Sequence, residues 1–450
     1  MLRCSHLLAR LAPLCLVSGI PTAVAGQTGR ITFEHVTLPN GLDVILAPDS
    51  STQVVAVDVW YAAGSRDEAP GSAGLARLFD RLMFAGTSHI PSGRYGPMVE
   101  DIGGRGSADV NEEAARFSES LPSNYLGLGL WLEAERMGSL SITDSGVTQA
   151  RLGMLDELGQ RVNDQPYAAA IADGVAALYD SAACYGYSHP TIGKVASITS
   201  LRTAAVDSFY RRFFTPNNAR LVVTGDFDPV TARSLIIRYF GSLPRGPDPP
   251  AVACTPGFGS GARTRSESIG GNRPSAAGIF YRIPAHDHPD SPALELLGII
   301  LSQGAGARLA TALARDARMA VATQGGIIDD RRGPGAFGLF AVAAEGVTPD
   351  SLAAHLAAQA RWAESDSLSE ADLERARAIY RATYVTALER PVDIAEQLQH
   401  ASTFHGNPDA VNTELDRVET VTAADVRRVA HTWLVPNNSL VLLVPVEAAP

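Results

Sequence analysis

The feature that most limits how this chain can fold is a stretch that occurs twice. LRTAAVDSFYRRFFTPNNARLVV, from Leu201 to Val223, lies without a gap over VTAADVRRVAHTWLVPNNSLVLL, from Val421 to Leu443. The offset is about half of the 450-residue chain. Pro216-Asn217-Asn218 falls on Pro436-Asn437-Asn438. Each copy reads as a helix opened by a polar residue, a Pro-Asn-Asn turn and an apolar, β-branched strand. Such a repeat predicts two halves of one architecture. They run over 28–245 and 263–447, joined by a linker at 246–262 whose Gly, Pro and Ser content resists regular structure.

Within the first half, ITFEHVTLPNGLDVILAPD reads as a hairpin with Asn40-Gly41 at its turn. QVVAVDVWYAAG alternates as a strand, and a helix starts near Gly74. A glycine-broken segment around Gly103–Gly106, a strand near Phe117 and the helix of YLGLGLWLEAERM follow. Strands and helices mix without a strict βαβ order. The fold class is therefore α+β, each half a mostly antiparallel sheet packed with helices.

The first 25 residues read as a signal peptide. Arg3 and Arg10 precede a short apolar stretch, and Ala23-Val24-Ala25 fits the small-residue cleavage rule. The expected location is periplasmic or secreted, and no later apolar run reaches the roughly 18–20 residues of a transmembrane helix. Loss of Arg3 and Arg10 takes the formal net charge from −11 to −13. That acidity excludes nucleic acid as a partner, since phosphate backbones need a basic face. Cys4 and Cys15 leave with the leader. Cys184 and Cys254 remain, free either to pair in an oxidising compartment or to stay apart.

The segment GLARLFDRLMFAGT, from Gly74 to Thr87, carries the functional question. Leu75, Leu78, Phe79 and Leu82 form one apolar helical face. Arg77, Asp80 and Arg81 stand three or four apart on another. Side chains at i and i+4 converge on one point, which is why helical zinc motifs place two histidines at that spacing.

Here the sequence resembles the insulinase/pitrilysin family of inverted-zincin metallopeptidases, whose motif is H-x-x-E-H with a third, glutamate ligand farther along. The resemblance rests on YAAGSRDEAPGSAGLARLFDRLMFAGT from Tyr61, SLPSNYLGLGLWLEAERM from Ser120, LDELGQRVNDQPY from Leu155, HPTIGKVASI from His189 and PNNARLVVTGDFDP from Pro216. It implies two duplicated halves closing into a clam-like chamber. The two family histidines fall on Arg77 and Arg81, the catalytic glutamate on Asp80, and the third ligand on Glu157.

These departures set the functional expectation. Arginine stays protonated and has no lone pair for a metal. A divalent ion about 5 Å from a guanidinium is repelled by roughly 7 kcal/mol at an effective dielectric of about 20. In the second half, Ala314 and Val321 stand where the family often keeps a substrate-holding arginine and tyrosine. GGRGSADVNEEAARF, from Gly103, matches poorly the edge strand that pairs with extended substrate in the family. Arg77, Asp80, Arg81 and Glu157 are thus expected to form an ion-pair network, with no catalytic residue and no metal ligand among them. An anion-binding role for the two arginines is the competing reading.

The expectation is a catalytically inactive metallopeptidase homologue without a cofactor, where the family uses zinc. Its partner would be an active homologous subunit, a second copy of itself, or an extended peptide. The alternatives are a residual zinc-dependent endopeptidase using Glu157 and non-standard ligands, and a purely structural envelope component. His286 and His288, in IPAHDHPD, read as a solvated turn, and His189 as structural.

Overall fold

The Asn40-Gly41 turn forms as its residues require: Gly41 adopts φ +90° and closes β1 (Glu34–Thr37) onto β2 (Asp43–Pro48). The computed structural model describes residues 30–446 apart from 166, 253, 255–262 and 270–272. The leader, and most of the linker's second half, lie outside the described residues.

Three further hairpin-forming strands, β3 (Val54–Tyr61), β4 (Arg105–Val110) and β5 (Ala115–Pro122), join β6 (Ala219–Gly225) in a six-stranded sheet ordered β1-β2-β6-β3-β5-β4. A second sheet holds β7 (Arg263–Ser266), β8 (Ala276–Ile283), β9 (Ala320–Asp329), β10 (Gly335–Ala343) and β11 (Ser439–Val444), ordered β7-β11-β8-β10-β9. The two orders superpose strand for strand once β1 is set aside. Each sheet has one parallel pair, β2 with β6 and β7 with β11, and is otherwise antiparallel. The fold is α+β with two related sheets.

The repeat keeps its 220-residue offset in three dimensions. Helix Thr203–Phe213, the turn at Pro216–Asn218 and β6 correspond to helix Ala423–Trp433, the turn at Pro436–Asn438 and β11. The second asparagine explains why the triplet recurs. The Asn218 side chain donates to Phe213 O at 2.7 Å, and that of Asn438 to Trp433 O at 2.9 Å. Each amide satisfies a carbonyl that the helix end leaves open.

The central strands of the first sheet are buried on both faces. β3 is buried along nearly its whole length, whereas β5 alternates. The cover is a helix from the other half, Pro391–His405, whose Ala395, Leu398 and Ala401 pack on Ile45, Ala47 and Val222. Gln399, fully buried on that helix, donates to Asp58 Oδ1 at 2.8 Å and Arg220 O at 3.0 Å. The exchange is mutual. Helix Ala168–Ala176 of the first half packs Ala170 and Val175 against Phe280, Phe340, Leu440 and Leu442 of the second sheet. A disulfide joins Cys184 to Cys254, closing a loop 70 residues long. Chain-entropy arguments value such a loop at about 4 kcal/mol. No helix among the described residues is long and apolar enough to cross a membrane.

Candidate functional site

The segment from Gly74 to Thr87 is shorter and tighter than its periodicity predicts. Its first turn, Ala76–Leu78, is a 3-10 turn, and only Phe79–Leu82 is α-helical. Glu68 accounts for the tight start. Its buried carboxylate accepts from Gly74 N at 3.0 Å and Ala76 N at 2.7 Å, binding amide donors that a helix start leaves unpaired. Gly74 itself lies at φ +95°, and a Cβ there would stand 2.7 Å from Ile192 O. Leu75, Leu78, Phe79 and Leu82 enter the core as the periodicity predicts.

The opposite face brings all four motif positions together. Glu157 lies on helix Asp144–Asp164, facing the short helix. Arg77 and Arg81 reach its two oxygens separately, Arg77 at 3.4 Å from Oε1 and Arg81 at 3.0 Å from Oε2. Arg161 adds a third guanidinium 2.7 Å from Oε1. Arg77 also meets Asp80 Oδ2 at 2.8 Å and donates to Val110 O at 3.1 Å, the inner end of β4. Arg81 donates to Gly153 O at 3.2 Å. Gly153 is needed for this, because a Cβ there would stand 2.6 Å from Arg81 Nε.

Electrostatics separate the two carboxylates. Burial alone would raise Glu157, but Arg77, Arg161 and Arg81 outweigh it and hold its pKa below the ordinary glutamate value. Asp80 is pushed up to about 7, chiefly by burial, against the pull of Arg77. The donor set does not suit a zinc ion. Of the four motif residues only Asp80 and Glu157 have acceptor atoms, and both Glu157 oxygens already face guanidinium groups. Three guanidinium groups lie 2.7–3.4 Å from the Glu157 oxygens and would repel a metal placed there.

β4, at the edge of the first sheet, ends beside this cluster; Arg77 lies 3.5 Å from Asp109 on it. Among the described residues β4 pairs only with β5, so its outer backbone edge is open. A cavity of 850 Å³ runs beside it, lined by Arg105, Ser107, Asp109, Arg116, Arg390 and Glu396 among others.

Two readings of the remaining histidines fare differently. His288 sits in a turn, receiving Asp290 N, as expected. His286 does not: its side chain is 5% exposed and packs against His400 and His405. The expectation of a solvated turn is wrong for it, because the loop folds inward and His286 N donates to Arg331 O at 2.9 Å. His400 and His405 were not singled out from the sequence. They lie more than a hundred residues from His286 and five apart on their helix, a spacing that announces no motif.

Comparison with known proteins agrees with the fold. Residues 43–179 match the family described as Insulinase (Peptidase family M16), and 200–380 match the Peptidase M16 inactive domain. The zinc protease PqqE of Helicobacter pylori is 27% identical over 80% of this chain and 81% of its own. A probable mitochondrial-processing peptidase subunit beta of Arabidopsis thaliana is 22% identical over 92% of this chain and 78% of its own. The crystal structure of a protease from Helicobacter pylori superposes with a TM-score of 0.86 at 23% identity, covering 92% of this chain and 99% of that one.

Proposed function

Because the chain belongs to the insulinase family, peptidase M16, we propose that it is a member that has lost catalysis and kept the binding architecture. One observation carries this reading: Arg77 and Arg81 each hold one oxygen of Glu157. Zinc peptidases need a ligand set that leaves one position open for water. Here permanent cations stand at the two histidine ligand positions, and burial raises the Asp80 carboxyl to about 7. No ligand set for a metal-activated water is provided.

The retained function is capture of an extended peptide. The free edge of β4 offers backbone donors and acceptors for strand addition, and the cavity beside it accepts side chains. Partnership with an active homologue is the second element. A relative named as a subunit supports it. The leader reading and the Cys184–Cys254 disulfide support an oxidising location, periplasmic or secreted.

The test is a peptidase assay on the purified chain with and without added zinc, paired with Glu157→Gln. The expected result is no cleavage in either form, with unstructured peptides still bound by the wild type. Zinc-dependent cleavage that Glu157→Gln abolishes would overturn the proposal. Absence of peptide affinity, alone or with an active homologue, would overturn its binding half.

A further inference from the structure

Away from the motif, His286, His400 and His405 come together, and one ring nitrogen of each lies within 4.8 Å of the other two. We propose that these three histidines form a site for a divalent ion of the imidazole-preferring class, Zn²⁺ or Co²⁺, unrelated to the motif helix. The inference does not depend on the peptide-binding reading.

The three histidines come from two parts of the fold. His286 is on the inward loop after β8, while His400 and His405 are on helix Pro391–His405, fixed by Gln399 to the first sheet. Ring centroids lie 4.8 Å apart for His286 and His400, and 5.0 Å for His286 and His405. Asp330, at the end of β9, grips two of them, His286 Nδ1 at 2.8 Å and His400 Nε2 at 2.9 Å. A carboxylate behind ligand histidines fixes ring orientation and raises basicity, the usual outer support of a metal centre.

The cluster also has acceptor capacity that the protein leaves unused. His286 Nε2 is buried without a hydrogen-bond partner, and so is Oε2 of Glu295. Glu414 Oε2 lies 3.7 Å from His405 Nε2. Glu295, Glu414, Asp330, His286 and His400 all line one cavity of 510 Å³, so solvent ions have a path and a fourth position stays open.

Two features set the cost. Ligand nitrogens around a tetrahedral ion with bonds of about 2.0–2.1 Å sit roughly 3.3 Å apart, so the cluster must tighten by about 1.5 Å. Arg417 must also turn away. Its guanidinium lies 2.8 Å from His405 Nε2 and 3.3 Å from Glu414. With a quarter of its side chain exposed, it has solvent to turn into.

The experiment uses the full chain carrying no histidine tag, stripped with chelator and titrated calorimetrically with Zn²⁺ and with Co²⁺. One ion per chain is expected, with a tetrahedral Co²⁺ absorption band and a zinc-dependent rise in melting temperature. His400→Ala and His405→Gln are each expected to weaken binding at least about tenfold, and Asp330→Asn by about 10–100-fold. Glu157→Gln should leave it unchanged, which separates this site from the motif helix. No bound ion in the wild type overturns the proposal without recourse to any variant. So does binding that survives His400→Ala and His405→Gln, or that is lost with Glu157→Gln.

Discussion

Two of the groups of titratable side chains inside this molecule are each assembled from a helix of one layer and a partner from another. At Arg77, Asp80, Arg81 and Glu157 the sequence spacing belongs to a metal motif, but the atoms delivered are guanidinium nitrogens. At His286, His400 and His405 the spacing suggests nothing, yet three imidazoles converge with a carboxylate behind them. At the first site the short helix buries its apolar face, and Glu157 is presented to its other face. What decides metal capacity is the lone pair offered at the convergence point, which a single substitution removes without disturbing packing.

The strongest way to break this comparison is to restore the donors. Arg77→His, Asp80→Glu and Arg81→His together put two imidazoles i and i+4 opposite Glu157. Zinc affinity at the motif should rise by at least about a thousandfold, about 4 kcal/mol, a fraction of the 10–16 kcal/mol of structural zinc sites. Metal analysis after dialysis, in a His400→Ala background, reads it. A triple variant that folds but takes no zinc would show that the backbone, and not the donor set, has changed.

Next in size is the carboxylate that holds the arginines. Glu157→Ala leaves Arg77 and Arg81 facing each other without their shared anion. A loss of about 2 kcal/mol is expected in denaturant melts, less than for a fully buried pair because the cluster is partly wet. Arg81→Ala should cost under about 1 kcal/mol, since a third of that side chain is exposed. Equal effects would mean that the network is not organised around Glu157.

The same approach sharpens the other site. Arg417→Gln removes the cation pressed against His405 and should tighten zinc there by about tenfold, roughly 1.4 kcal/mol. Unchanged affinity would indicate that Arg417 already stands clear when the ion enters.

The two sites also mark how far the sequence could be read. The duplication, the Asn40-Gly41 hairpin and the apolar face from Leu75 to Leu82 follow from short-range rules, and the structure keeps them. Glu157 was legible only through resemblance, since nothing local links it to Arg81. The histidine cluster depends on helix Pro391–His405 crossing to cover the first sheet. No periodicity in that helix says which sheet it covers. Arg136 was equally hidden: wholly buried, it pairs with Glu119 at 2.6 Å and Glu133 at 3.3 Å, though its surroundings read as an ordinary amphipathic helix. Long-range pairing of polar groups leaves no local trace.

The last effect is one of pH, and its sign distinguishes the two carboxylates of the motif. Asp80 is raised from 3.8 to about 7, so the folded chain keeps a proton that the unfolded chain releases near pH 4. Between those values the folded state binds more protons, and stability falls as pH rises. Glu157 runs the other way: its pKa is lowered, its contribution is present above the unfolded value, and it is lost as pH falls through the folded one. Asp80→Asn removes the falling limb and keeps Glu157. Relative to wild type, the variant should gain stability between pH 4.5 and pH 8. The difference between the two proteins is the quantity to measure. Glu295 at about 7 and Asp58 at about 8 titrate over the same range and cancel in it. A difference flat with pH would mean that Arg77 keeps Asp80 ionised throughout. The motif would then hold two ionised carboxylates against its arginines, a charge balance much closer to that of the histidine site than its chemistry now suggests.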